Sequence, residues 1–200
     1  EAIRQIVLPI LGPERKATYS PILPVCPTTG RVLQVSIDEV RPADGTVVYT
    51  DPDSGARVEL PVTDGNCKLQ WRADWALRWT ALEVDYEMYG KDLIDSAKIS
   101  AKICRELGGT APEGFAYELF LDENGQKISK SIGNGLTVDE WLTYGPKASL
   151  GLFMFQQPKK AKRLFFDVIP KTVDEYESHR VKFRTQAPAE RINNPLWLMH

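Results

Sequence analysis

Apolar and polar positions change rhythm along the chain, and each change marks a different kind of segment. Residues 1–12 read as a short helix closed by Gly12-Pro13. Between 20 and 66, turn signals recur at Thr29-Gly30, Asp44-Gly45, Asp51-Pro52-Asp53-Ser54-Gly55 and Asp64-Gly65. The β-prone runs 31–37, 46–50 and 57–62 between them predict a small antiparallel insert. From Cys67 the order becomes strand–helix–strand. Residues 68–71 read as a strand, 74–82 as a helix with Trp75, Trp79 and Leu82 on one face, and 84–89 as a strand. Asp92 can cap a helix to Leu107 lined by Leu93, Ala97, Ala101, Cys104 and Leu107, with Gly108-Gly109 ending it. Residues 115–121 are the next strand. That order implies a parallel sheet with crossover helices, whose ligands sit at the carboxyl ends of strands.

Beyond residue 135 the pattern turns helical. Thr137-Val138-Asp139-Glu140 is a capping box, with Leu136 and Trp141 placed as its hydrophobic staple. Gly145-Pro146 ends that helix and opens another through Phe155. Thr172-Val173-Asp174-Glu175 reads as a second capping box, opening a helix toward Val181, and the residues around Pro188 and Asn193-Asn194-Pro195 read as loosely ordered. The expected divisions are 1–19, a connecting segment; 20–66, the β insert; 67–135, the α/β part; and 136–200, the helical part.

Composition narrows the possibilities. A formal net charge of −2 over 200 residues gives no global field for nucleic acid, so RNA contact would need a local patch. No apolar run is long enough for a membrane span, and no signal-like amino terminus is present. Three cysteines, Cys26, Cys67 and Cys104, make no even disulfide framework and fit a cytoplasmic setting. Cys26-Pro27-Thr28-Thr29-Gly30 looks like half a zinc knuckle without its second cysteine; with Cys67 it still falls short of four soft ligands, so no metal is expected.

The chemistry concentrates in Lys127-Ile128-Ser129-Lys130-Ser131, after Asp122-Glu123-Asn124-Gly125 and before Gly133-Asn134-Gly135. Mobile ammonium groups, small hydroxyl donors and flanking glycines suit a loop that grips a polyphosphate as its charge shifts. An exposed charged hairpin is the plainer reading. The segment resembles the KMSKS signature of class I aminoacyl-tRNA synthetases. Trp71 to Trp79, Tyr89-Gly90-Lys91-Asp92, Tyr117-Glu118, Leu136 to Leu142 and Ala161 to Pro170 follow the order and approximate spacing of one subfamily, the class I lysyl-tRNA synthetases.

The resemblance implies the second half of a Rossmann-like nucleotide-binding fold, carrying the β insert and a helical carboxy-terminal part. It implies an ATP- and Mg²⁺-dependent ligase that activates lysine and transfers it to tRNA(Lys). Lys127 and Lys130 would hold the leaving phosphates, Lys130 the more directly. Ser129 and Ser131 would brace the loop, and Gly133 and Gly135 would let it swing. Trp71, Asp74, Tyr117 and Glu118 would fall in or near the lysine pocket, as aromatic wall or carboxylate. The alternative is core packing for the tryptophans and an i,i+4 pair of Asp74 with Arg78. Lys159, Lys160, Lys162 and Arg163 would contact tRNA phosphates or form a solvated face.

Two positions depart from the family: Leu93 stands where a histidine usually follows the glycine-lysine-aspartate turn, and Ile132 where a lysine is common. No HIGH signature is present, and the histidines are His179 and His200 alone. The resemblance therefore implies a piece of a longer chain, inactive in aminoacylation by itself, with uncovered apolar sheet surface that favours self-association. A class I synthetase of other specificity, or a noncatalytic RNA-binding or structural domain derived from one, is the alternative.

Overall fold

The computed structural model describes residues 1–129 and 132–199. The chain divides into two compact units, Glu1–Phe115 and Ala116–His200.

The first unit opens with α1 (Ala2–Val7), which tightens into a 3-10 turn at Leu8–Ile10, and α2 (Pro13–Thr18), whose first residue is a proline that needs no N–H partner there. Strand β1 (Ile22–Pro24) leads into the insert, a three-stranded antiparallel meander of β2 (Glu39–Arg41), β3 (Thr46–Thr50) and β4 (Arg57–Pro61). The register pairs Val47 with Leu60 and Tyr49 with Val58, so the inward residues of β3 and β4 meet in a core with Cys26 and Leu33. The β2–β3 and β3–β4 turns place Gly45 at φ +66° and Gly55 at φ +71°, a conformation that suits glycine. Asp51 closes the second turn by accepting from the Asp53 and Ser54 N–H groups and the Ser54 hydroxyl. The outer face carries an ion-pair ladder: Arg41 contacts Glu39 and Glu59, and Arg57 contacts Glu39. Residues 31–37 form no strand; Val32 makes an isolated bridge to Val25.

Strand β5 (Cys67–Leu69) returns to pair antiparallel with β1. Helix α3 (Trp71–Ala81) follows, then β6 (Tyr86–Gly90), a 3-10 turn at Lys91–Leu93, α4 (Ile94–Glu106) and β7 (Glu113–Tyr117), which pairs with β6. Trp75, Ala76 and Trp79 of α3 pack with Val7, Ala97, Ile103 and Cys104. The buried Ser100 hydroxyl donates to the Arg72 carbonyl at 3.0 Å and locks α4 onto the first turn of α3.

The second unit pairs β8 (Phe120–Leu121) in parallel with β9 (Lys162–Arg163). Helices α5 (Val138–Tyr144), α6 (Lys147–Phe155), α7 (Val168–Thr185) and α8 (Pro188–Arg191) follow the signature segment, and a 3-10 turn at Pro195–Met199 packs on α7. Trp141, Phe153 and Ile169 form its core. The predicted capping box is present: the Glu140 N–H donates to Thr137 Oγ1 at 3.2 Å, and Thr137 N–H donates to Glu140 Oε2 at 2.8 Å. Leu136 packs against the Trp141 cluster as a staple residue should.

The chain is thus mixed α/β with helices and small, mostly antiparallel sheets. Several expectations need correction. β5 pairs with β1 and not with β6, so the strand–helix–strand order of residues 67–90 does not by itself build one parallel sheet among the described residues. Leu82 lies beyond the end of α3 and is 73 % exposed, since the helical spacing outlives the helix. Asp92 lies inside the 3-10 turn, and Leu93 holds the cap position of α4. The buried face of α4 is Ala97, Ser100, Ile103 and Cys104, rotated away from Leu107. Thr172 sits inside α7, donating to the Val168 carbonyl, because Pro170 falls in the first turn where N–H groups are unpaired anyway. The carboxy-terminal segment is packed: Leu196 is fully buried, and Asn194 donates to the His179 carbonyl and the Gln186 side chain.

Candidate functional site

The signature segment begins on a hairpin of the second unit. Lys127 bridges antiparallel to Leu121, and Ile128 N–H approaches the Phe120 carbonyl at 3.4 Å. Asp122 builds the turn: its N–H donates to Gln126 O at 2.8 Å, and its Oδ1 accepts from the N–H groups of Asn124 and Gln126 at 3.0 and 2.8 Å. Downstream, the Ile132 and Gly133 N–H groups both donate to the Ser129 carbonyl, and Gly133 adopts φ +69°. Gly135 runs so close to Ile128 that a Cβ there would lie 2.7 Å from Ile128 Cγ2. Lys127 is exposed, and Ile132 presents 72 % of its surface. Lys130 and Ser131, the other halves of the proposed lysine and serine pairs, lie outside the described residues.

Two residues that the sequence reading gave no role join the two limbs. Asn134 Oδ1 accepts from Ser129 N–H at 2.9 Å, and Asn134 Nδ2 donates to Asp122 Oδ2 at 2.8 Å. Backbone donation from Gln126, then the Asn134 amide, holds the Asp122 carboxyl below its ordinary value, with the Arg163 charge helping. Arg163 lies over the hairpin tip, its guanidinium 3.7 Å from where a Gly125 Cβ would stand. The available signal was residue type: Asp at a turn start and Asn between glycines are side chains that bond to nearby backbone.

The basic cluster separates on folding. Lys159 and Lys160 are exposed, as is Arg163. Lys162, in β9, turns inward; its ammonium donates to the Phe153 carbonyl and stands 5.1 Å from the centroid of the Phe153 ring. Burial pushes its pKa down.

The expected amino-acid pocket residues fall in both units. In the first, Trp71 opens α3, is 50 % exposed and stacks on Trp75 with ring centroids 5.1 Å apart. It lines a cavity of about 220 Å³ together with Arg15, Tyr19, Gln70, Arg72 and Ser96. Burial raises the Tyr19 hydroxyl pKa, against the opposing pull of the Arg72 charge. This lining offers guanidinium groups and an aromatic wall but no carboxylate, so it suits an anionic group better than an ammonium. Asp74 is outside it and pairs with Arg78 at 2.9 Å, the i,i+4 geometry. Leu93 packs against the core around Trp75. In the second unit, Tyr117 and Glu118 are half-buried, and Glu118 N–H donates to the Pro158 carbonyl at 2.8 Å.

Among the described residues no three His, Cys, Asp or Glu side chains come close enough to hold a metal ion, and no helix is long and apolar enough to cross a membrane. Cys26 Sγ lies 3.1 Å from the Thr28 hydroxyl, and the three cysteines are free.

The chain belongs to the class I tRNA synthetases of the K type, whose family pattern it matches over residues 1–200. Among curated proteins it is similar to "Lysine--tRNA ligase" of Rickettsia rickettsii (strain Sheila Smith), 53 % identical over 201 residues. The protein of the same name from Rickettsia felis (strain ATCC VR-1525 / URRWXCal2) is 54 % identical over 201 residues, and that from Rickettsia bellii (strain OSU 85-389) 52 %. Each alignment takes in 100 % of this chain and 38 % of the relative, so the chain spans well under half the length of the proteins it matches.

Proposed function

We propose that this chain is the phosphate-gripping and helical portion of a class I lysine–tRNA ligase, which activates lysine with ATP and Mg²⁺ and transfers it to tRNA(Lys) in the cytoplasm. Family membership over the whole chain, the Lys127–Ser131 sequence, and the clamp that holds Ser129 support this reading. In activation the lysine carboxylate attacks the α-phosphate and pyrophosphate leaves. The transition state spreads negative charge over phosphate oxygens, so positioned positive charge and N–H donors do most of the work. Lys127 and Lys130 neutralise the departing phosphates, Ser129 and Ser131 donate hydrogen bonds to them, and Gly133 permits the loop's movement. Mg²⁺ enters as part of the Mg·ATP substrate, held mainly by phosphate oxygens. The first unit contributes to a Rossmann-like half, with Trp71 as an aromatic wall. Tyr117 and Glu118 are the candidates for lysine recognition, whereas Asp74 is engaged by Arg78. Lys159, Lys160 and Arg163 offer charge to tRNA phosphates, whereas Lys162 serves packing.

Calorimetry tests this with Mg·ATP and a nonhydrolysable lysyl-adenylate analogue against the chain and its Lys127→Ala/Lys130→Ala variant. Binding that the variant loses is the expected result. Equal binding by both would sink the role given to the signature lysines.

A further inference from the structure

Besides the turn bonds of Ile132 and Gly133 to the Ser129 carbonyl, the two limbs of the signature loop are joined at longer range. They are held by one carboxylate and one carboxamide twelve residues apart, Asp122 before the loop and Asn134 after it. The bonds run in one direction. Ser129 N–H donates to Asn134 Oδ1, Asn134 Nδ2 donates to Asp122 Oδ2, and Asp122 Oδ1 accepts from Asn124 N–H and Gln126 N–H. The chain of bonds therefore ties the backbone of Ser129, inside the signature, to the backbone of the hairpin turn. Beside it, Gly135 packs against Ile128 and fixes the spacing of the returning limb.

We propose that Asp122 and Asn134 are a pair of positioning residues that preset the loop for polyphosphate, an inference that rests on the phosphate-gripping reading above. Neither side chain grips phosphate itself. Each acts through the backbone of the residues that do, fixing where Ser129 stands through its N–H and where Lys127 stands through its carbonyl, 3.5 Å from Asn134 Nδ2, before ligand arrives. Preorganisation of this kind raises affinity by removing the ordering cost at binding.

The direction of the bonds makes a sharp test possible. Asp122→Asn puts an amide nitrogen against the Asn134 nitrogen; turning the Asn134 amide to repair that contact sets its nitrogen against Ser129 N–H. Asn134→Asp sets two carboxylates face to face. The double exchange, Asp122→Asn with Asn134→Asp, restores the run of bonds from Ser129 to the turn: Asn at 122 accepts from Asn124 and Gln126 through its oxygen and donates to the carboxylate at 134, whose other oxygen accepts from Ser129 N–H; it gives up only the long contact, 3.5 Å, of the Asn134 amide with the Lys127 carbonyl. Net charge alone predicts opposite effects of the two single variants, since Asp122→Asn removes a negative charge and Asn134→Asp adds one, whereas the pairing predicts that both weaken binding and that the double exchange recovers it.

The experiment measures Mg·pyrophosphate affinity by calorimetry on the 200-residue chain and its variants, alongside hydrogen exchange at the Ser129 amide. Lys127→Ala serves as the control that lowers affinity while leaving Ser129 protected. Each single variant should weaken binding about tenfold and speed Ser129 exchange, and the double exchange should return affinity to within about threefold of the parent. Ser129 exchange that follows this pattern while affinity stays constant across all three would overturn the positioning role, with loss in Lys127→Ala leaving the phosphate reading intact. Double-exchange affinity no better than the singles would also overturn it. No binding by the parent chain would reject the phosphate reading and the positioning role together, with the exchange data marking the pair as purely structural.

Discussion

Ser149→Ala strands one polar atom in the middle of the second unit's core. Trp141 and Ser149 are both fully or almost fully buried, and the indole Nε1–H donates to Ser149 Oγ at 3.1 Å. That hydroxyl in turn donates to the Pro146 carbonyl at 2.7 Å. Removing it leaves the carbonyl with the Ser149 N–H at 3.0 Å, so the carbonyl keeps a partner. The indole N–H keeps none that replaces Oγ. A buried donor left unpaired costs about 1–3 kcal/mol, and the lost volume is a single oxygen, so the indole dominates the effect. Urea unfolding should show a loss in that range. The Trp141 indole proton, one of five such signals expected from the composition, should exchange faster. In a Trp141→Phe background the donor is already gone, and Ser149→Ala should then cost less by about 1 kcal/mol or more. A cost below about 0.5 kcal/mol with unchanged indole exchange, or an equal cost in both backgrounds, would refute the assignment.

Three further outcomes follow from other sites. Gly109→Ala would place a Cβ 2.7 Å from Thr80 Oγ1 and 3.0 Å from Cys104 Sγ, so it should lower stability by about 1–3 kcal/mol in urea unfolding. The penalty should shrink in a Thr80→Ala background; an unchanged penalty would count against the close contact. Asp122 titrates below its ordinary value in the folded loop, so the unfolded loop binds more protons and the clamp is lost as pH falls through the lowered value. Ser129 and Asn134 amide shifts should therefore hold steady from neutral pH down to about 4 and move only below that, and a transition near pH 6 would contradict the hydrogen bonding described. Lys162→Met should leave RNA affinity unchanged while altering unfolding. Lys159→Ala and Lys160→Ala should each lower the salt slope of RNA binding by about one, and a slope lowered by Lys162→Met would reverse the assignment of inward and outward charges.

Local signals carried well where one short segment decides the outcome. The run 46–50 is strand β3, and Thr137–Glu140 makes both capping bonds, because neighbouring residues supply donor and acceptor alike. Gly145-Pro146 separates α5 from α6 as its chemistry requires. Signals failed where a distant segment decides. Lys162 reads as one more surface cation, and only the pairing of β9 with β8 and the nearness of α6 turn it inward. Thr172-Val173-Asp174-Glu175 has the residues of a cap, yet α7 begins earlier because core contacts at Val168 and Ile169 extend it. The partnership of Asp122 and Asn134 depends on the hairpin returning the chain to itself, which no local pattern encodes. Trp71 read as the last residue of a strand, yet it opens α3, and the guanidinium-lined cavity beside it draws on α2 as well.

The charged ladder on the insert has a consequence for the chain before and during folding. A three-stranded sheet has two open edges, and open edges invite another chain to add a strand. Here β2, one edge, is only three residues long and presents Glu39 and Arg41; β4, the other, carries Arg57 and Glu59 and stops at Pro61, which has no N–H to offer. An incoming strand would have to displace bonded ion pairs and meet a broken ladder. The insert can therefore expose its backbone to solvent without becoming a seed for aggregation, whatever the rest of the chain has yet to do.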